Sequence, residues 1–258
     1  MAEGDEFERR LLVSVDAKGY SSSTAHWQGR LQAALLTVLD RAAERAGLSR
    51  ATWKVQGAGD GELAVLPPGE PEPRVVDDFP RHLAAELRRH NRDVPEGKHL
   101  RLRLAVHFGP AIIAGNGFAG RGPIDVRRLC DCEAVRTALD SSGAALAVIL
   151  SQRVFSETVA QEHTSLEPAM FRKVTVRVKE FADEAWVWVP GHDIGDLRIP
   201  DAQMDTGPPP EVPPAAAPRR EPPSQGAHEI HGNFAHADVR ARKVVGGDEI
   251  NYHEVRRQ

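Results

Sequence analysis

The feature that most narrows the fold is the order in which strand-like and helix-like periods follow one another along the chain. Leu11 to Asp16 (LLVSVD) is a short apolar run of the kind a buried strand makes. A Ser/Thr cluster, Ser21 to Thr24, is placed to cap a helix from about Ala25 to Ala46, where Leu31, Ala34, Leu35, Val38 and Ala42 recur at helical spacing. Two short strands, ATWKVQG and ELAVLPP, then flank Gly57-Ala58-Gly59-Asp60-Gly61, a composition suited to a hairpin turn. Phe79 to His90 predicts a second helix. His99 to Gly109 alternates as a half-buried strand does, and the following AIIAG is expected to pair with it. Asp125 to Leu139 reads as a helix, ALAVIL as a buried strand, Ser151 as the cap of a short helix, and VTVRVK and EAWVWV as closing strands. This order (β, α, β, β, α, β, then further elements) predicts an α+β domain with a mixed sheet and helices packed on one face.

Composition changes sharply after Trp188. From Asp205 to Gly226 (DTGPPPEVPPAAAPRREPPSQG) dense proline opposes both helix and ladder pairing, as in an extended linker. The expected organisation is a domain over 1–191, a Pro-rich linker without fixed structure over 192–226, and a short tail over 227–258. A net charge of −4 with 27% charged residues gives no basic footprint for nucleic acid, and that partner class is set aside. The acidic N-terminus MAEGDEFERR is unlike a signal peptide, and no apolar run is long enough to cross a bilayer, so a cytoplasmic protein without membrane contact is expected. Cys130 and Cys132 lie too close for a relaxed disulfide and lack zinc-site companions, so they read as small buried side chains.

The chemistry concentrates at two aspartates. Asp16 ends the first strand, and Asp60 sits in the hairpin turn Gly59-Asp60-Gly61. A strand lying beside a hairpin brings its end close to the hairpin tip, and two carboxylates held together repel until a dication relieves them. Between Asp16 and the helix, Ala17-Lys18-Gly19-Tyr20-Ser21 forms a turn leading to a helix N-terminus, where backbone N–H groups and the helix dipole favour a phosphate. Gly19 permits close backbone approach, and Lys18 adds a positive charge that either meets a phosphate or stays in solvent. Each piece alone is a common cap or turn. Their joint position in this strand order is what reads as a metal–triphosphate site.

These segments resemble the class III nucleotidyl cyclases, the adenylate and guanylate cyclase catalytic domain, in a divergent bacterial-type form. VDAKGYS resembles that family's first metal motif and GAGDGELAV its second. RLRLAVHFGPAI resembles the following strand, with Arg103, His107, Gly109 and Pro110 in matching places, and GFAGRGPIDVRRLCDCEAVRTAL resembles the later helix with its Arg128-Leu129 pair. The likeness spans about Leu11 to Pro190. It implies the ferredoxin-like nucleotidyl cyclase fold and a homodimer with composite sites, metal coming from one protomer and base-selecting and transition-state residues from the other. It also implies Mg²⁺ or Mn²⁺ at Asp16 and Asp60, a nucleoside triphosphate substrate, and Arg128 stabilising charge on the transferred phosphate. The reaction implied joins the ribose 3′ oxygen to the α-phosphate and releases pyrophosphate.

The sequence departs from the family at the residues that read the base and orient the ribose. Gln56 stands where purine cyclases carry Lys or Glu and is the base-binding candidate here. The second base reader falls near Gly117, and the transition-state Asn falls on Ile124, with Asp125 next to it. A second expectation follows: a cyclase-like domain without turnover, acting as a dimerisation or nucleotide-sensing module that signals through its tail. The tail (HEIHGNFAHADVRARKVVGGDEINY) is expected to lack fixed structure, although its two β-branched, Gly- and Asn-containing segments weakly resemble terminal motifs that pair through cross-β contacts and would serve a protein partner. Gly246-Gly247-Asp248-Glu249-Ile250 resembles the diguanylate cyclase signature, but only eight residues follow it and no core is there to position it. The tail histidines His228, His231, His236 and His253 have no restrictive metal spacing.

Overall fold

The computed structural model describes residues 8–20, 23–57, 59–115, 117–178, 181–200, 230–234 and 237–241. They fall into two units, divided between Gly207 and Pro208. In the first unit the apolar run at the N-terminus forms β1 (Glu8–Ala17), and the amphipathic segment after it forms α1 (Ala25–Arg45). The hairpin is β2 (Lys54–Gly57) and β3 (Gly61–Val65), followed by α2 (Glu72–Val76), α3 (Asp78–Asn91), β4 (Leu102–Ala114) and β5 (Gly117–Ala119). The remainder comprises α4 (Arg121–Asp131), α5 (Glu133–Ser142), β6 (Leu146–Ser151), α6 (Gln152–Glu157), β7 (Arg172–Val178) and β8 (Phe181–Trp188).

The sheet order is β2-β3-β1-β4-β6-β8-β7, with β5 pairing β4 off this path. β1 is antiparallel to both of its neighbours, whereas β4 and β6 run parallel, so the sheet is mixed. This is the expected α+β architecture. Alternation within each strand divides the core in two. Leu11, Val13 and Val15 of β1, with Leu102, Leu104 and Val106 of β4, face the long helices α1 and α3, whose Leu35, Leu39, Phe79 and Leu83 are buried against them. Leu12 and Ala105 point the other way, toward Val126 and Leu129 of α4 and Val135 and Leu139 of α5. The long helices thus share one face, and the shorter α4–α5 pair covers part of the second.

Three local expectations need correction. AIIAG does not pair back on the preceding strand. β4 runs through Gly109-Pro110 without turning, and the chain reverses only after Ala114, where β5 takes up the pairing (Ile112 opposite Ala119). The helix expected over 125–139 is two helices, broken at Cys132, whose backbone is extended (φ −65°, ψ 154°). No Gly or Pro marks that break, so periodicity alone runs through it. The domain also continues beyond residue 191: Ile194, Leu197 and Ile199 are buried in the second core, and Arg172 Nη1 donates to the Leu197 carbonyl at 3.1 Å. The packed residues of the domain therefore extend to Ile199, past the boundary expected at 191.

Thr24 occupies the N-cap of α1 without making a side-chain cap bond, and Ser151 at the start of α6 likewise makes none. Both cysteines are buried free thiols, as expected. Among the described residues no helix is long and apolar enough to cross a membrane. In the second unit, β9 (Ile230–Phe234) and β10 (Ala237–Ala241) form a two-stranded antiparallel sheet, with Phe234 opposite Ala237. The Gly246–Ile250 segment and the other tail residues lie outside the described residues.

Gly61 is the tightest point of the β1–β3 contact. It pairs with Asp16, and a Cβ built on it would sit 2.0 Å from the Val15 carbonyl oxygen. A backbone oxygen at that distance cannot be relieved by turning a side chain. Gly61→Ala is expected to push the hairpin away from β1 and to destabilise the domain by about 1–3 kcal/mol, the usual range for overpacking. A urea unfolding midpoint compared with the parent chain measures this.

Candidate functional site

Register alone places the central residues. Asp16, one residue from the end of β1, is opposite Gly61 of β3 on one side and opposite Arg103 of β4 on the other. Directly opposed residues of an antiparallel pair project to the same face, so Asp16 and Arg103 meet. Arg103 Nη2 donates to Asp16 Oδ2, forming an ion pair. The hairpin tip is tied to the same point, because the Ala17 amide donates to the Asp60 carbonyl at 2.7 Å. Asp16 and Asp60 both line one open cavity of about 380 Å³, along with Glu62, Arg103, Arg127, Asp131 and Arg136. The two aspartates predicted from the motifs are thus brought together.

The surroundings fix this geometry from both sides. Arg50 grips Glu62 with two parallel bonds of 2.5 and 2.7 Å, a charge-assisted fork that anchors the hairpin strand two residues after Asp60. On the far wall, Asp131 at the end of α4 accepts from Arg136 at 2.9 Å and stands 3.7 Å from Arg103. Burial pushes the Asp16 carboxyl up and Arg103 draws it back down. The charges of Asp60 and Asp131 raise it again, and the result lies above the ordinary aspartate value. Cys130, also on the cavity wall, is fully buried, and burial drives its thiol well above the usual range, so it is inert there.

Among the described residues no group of three or more His, Cys, Asp or Glu side chains is placed to enclose a metal. Two carboxylates beside an open, arginine-lined cavity could supply only part of the shell of a hard divalent cation, the rest coming from water or a bound anion.

The phosphate turn differs from expectation. The Ala17 amide is engaged by Asp60, and the Lys18 amide donates to the Arg101 carbonyl at 2.9 Å, so neither points at a ligand. The Lys18 ammonium pairs with Asp140 of α5, and Lys18 is not among the residues lining the cavity. Ala17, Gly19 and Tyr20 do line the cavity, and Gly19 adopts a positive φ of 77°. The Tyr20 carbonyl accepts from the Ser23 amide and from Gln28, which fixes the turn from behind. Ser21 lies outside the described residues. Positive charge at the cavity comes instead from Arg103, Arg127 and Arg136. Only Arg103 carried a legible signal, as one of the matching places on the strand that follows the second metal motif in the resemblance. Arg127 was hidden beside Arg128.

Arg128 and Gln56 do not join the two aspartates within one chain. Arg128 is on α4, 4.0 Å from Asp125, and is not among the residues lining the cavity. Gln56 packs over Gly117, where a Cβ would stand 2.7 Å from Gln56 Nε2, so the candidate base reader and the position of the second one are neighbours. On α4, Ile124 is 51% exposed while Asp125 is 6% exposed. Asp125 therefore turns inward, where Arg121 Nε donates to it at 3.3 Å, and does not take the place of the residue at 124.

No family model matches the chain, and no curated protein matches it. Solved structures do match, and they define the fold as that of nucleotidyl cyclase catalytic domains. The guanylyl cyclase Cya2 superposes with a TM-score of 0.52 at 14% identity, over 76% of this chain and 100% of that one. An adenylate/guanylate cyclase/hydrolase from Silicibacter pomeroyi superposes with a TM-score of 0.50 at 20% identity, over 72% of this chain and 99% of that one. At such identities the likeness is one of fold.

His107, opposite Leu12 on β4, supplies a pH signature for this region. Burial holds its imidazole below the usual value of 6.5, outweighing Asp125 and Asp183, whose charges favour the cation. The unfolded chain then takes up this proton before the folded one does. The stability His107 contributes is complete above pH 6.5 and is lost as pH falls through its lower folded value. Burial also lowers His90, so His107→Gln is expected to reduce, and not remove, the fall in urea midpoint on acidification below pH 6.5.

Proposed function

We propose that this chain binds a nucleoside triphosphate with Mg²⁺ or Mn²⁺ at Asp16 and Asp60, and that two copies together form a site for 3′,5′-cyclic nucleotide synthesis with release of pyrophosphate. The observation that carries this reading is the β1 register, which sets Asp16 against both the hairpin bearing Asp60 and the arginine of β4. Asp16 and Asp60 would hold the cation, which supplies activation of the ribose hydroxyl and neutralisation of the departing pyrophosphate. Arg127 and Arg136 line the same cavity as Arg103 and would take phosphate oxygens as charge-assisted donors. Gly19 and Tyr20 close its edge. Arg128 lies apart from this cavity in its own chain, which supports a site completed by Arg128, Gln56 and their neighbours from a second protomer.

One observation favours a second reading, binding without turnover. The exposed Ile124 offers an apolar surface at the α4 position where the family orients the ribose, and it has no group to donate or accept a hydrogen bond. In that reading the nucleotide-loaded domain acts as a sensing or dimerisation module, and the unit containing β9 and β10 passes the signal to a protein partner.

Incubation of the full chain with each of the four nucleoside triphosphates and Mn²⁺ separates these readings. The cyclase reading expects a cyclic product from at least one of them, falling by about a hundredfold or more in Asp60→Ala, as for loss of a group that stabilises developing charge. Nucleotide-dependent dimerisation measured by sedimentation, with no cyclic product, establishes the second reading. Absence of both binding and product, with no difference from Asp60→Ala, would sink the two together.

A further inference from the structure

Arg103 makes a single hydrogen bond within a group capable of five. Its Nη2 donates to Asp16 Oδ2, while its Nε is buried and has no hydrogen-bond partner among the described residues. The stem is held in place, its side chain being only 12% exposed, yet nothing fixes the plane of the guanidinium through a second bond. A second acceptor is already within reach. Asp131 Oδ1 is 3.7 Å from the same Nη2, less than one ångström beyond hydrogen-bond distance. Asp131 is 56% exposed, and its present donor, Arg136, is 55% exposed and can turn to water without uncovering a buried charge.

We infer that Arg103 and a divalent cation are alternatives at Asp16: the guanidinium that pairs with Asp16 passes to Asp131 when a metal takes the carboxylate. This rests on the proposal that Asp16 and Asp60 hold the metal. The physical reason is repulsion in a partly desolvated site, where a dication and a guanidinium held by one carboxylate oppose each other as like charges at close range. Asp131 supplies the displaced arginine with a partner in the same cavity, so metal entry does not strand a buried cation. Arg103 is in this sense a positioning residue that sets how readily Asp16 accepts metal, and Asp131 sets how readily Arg103 yields.

Mn²⁺ alone is the probe, titrated into the full chain at neutral pH with free Mn²⁺ read by electron paramagnetic resonance and folding checked by circular dichroism. Arg103→Met removes the competing charge while keeping a similar length, and is expected to tighten Mn²⁺ binding by about tenfold. Asp131→Asn removes the alternative acceptor and is expected to weaken binding by about threefold to tenfold in the parent chain. The decisive comparison is Asp131→Asn in the Arg103→Met background, where the weakening is expected to shrink to the smaller effect of losing one negative charge from the cavity. If Asp131 acts only as a distant negative charge, it weakens Mn²⁺ equally in both backgrounds, and the exchange is overturned. Mn²⁺ binding that is no tighter in Arg103→Met also overturns it, while leaving the metal site itself intact. Mn²⁺ uptake unchanged by Asp16→Asn and Asp60→Asn would instead remove the metal reading and this inference with it. Should Arg103→Met fail to fold, Arg103→Gln, which keeps a polar group in the cavity, carries the same comparison.

Discussion

Everything chemical in this domain depends on β1 being paired along both of its edges. Its partners are antiparallel, β3 on one side and β4 on the other, and Asp16 is in register with Gly61 and Arg103 at once. That double pairing leaves Asp16 no freedom of height or face. It also draws together residues separated by more than forty positions on one side and more than eighty on the other. A slip of one residue would send Asp16 into the core shared with α1 and α3, where Val15 and Val13 now lie. The buried apolar alternation of β1 is therefore what holds the acidic site in place.

Around this anchor the charges form a chain and not a set of isolated pairs. Asp60 and Asp131 raise the Asp16 carboxyl, Arg103 opposes them, and Arg136 in turn holds Asp131. A partly buried network of this kind stores electrostatic tension that an incoming cation or polyanion can relieve, which is the usual physical ground for placing ligands among perturbed groups. The second core region, by contrast, is built for rigidity. α4 meets the sheet closely enough that a Cβ at Gly122 would come within 2.7 Å of the Pro110 carbonyl, fixing the helix that carries Arg127, Arg128 and Asp131 against β4.

Much of this was legible in the chain. The order of strands and helices along the chain, the long helices α1 and α3, and the placing of Asp16 at a strand end and Asp60 in a hairpin turn follow from periodicity and turn chemistry, because those signals depend on neighbours a few residues apart. The break at Cys132 was not, since no Gly or Pro announces it and helical spacing persists on both sides. Nor were the last turns of the domain, where Ile194, Leu197 and Ile199 are three isolated apolar residues between prolines and acids. Their burial is decided by the second core they join and by Arg172 of β7, which donates to the Leu197 carbonyl, partners that local pattern does not reveal.

The site divides in the same way. The sequence determined which carboxylates end the strand and tip the hairpin, because hydrophobic alternation and Gly-Asp-Gly chemistry are local and act before the chain closes. Only the tertiary structure decided what meets them. It turned Lys18 out to Asp140, engaged the Ala17 and Lys18 amides in the backbone, and brought Arg103 onto Asp16 with Asp131 beside it. Those choices are competitions between partners distant in sequence. Their outcome depends on distance and burial in the folded sheet, quantities that no run of residues carries by itself.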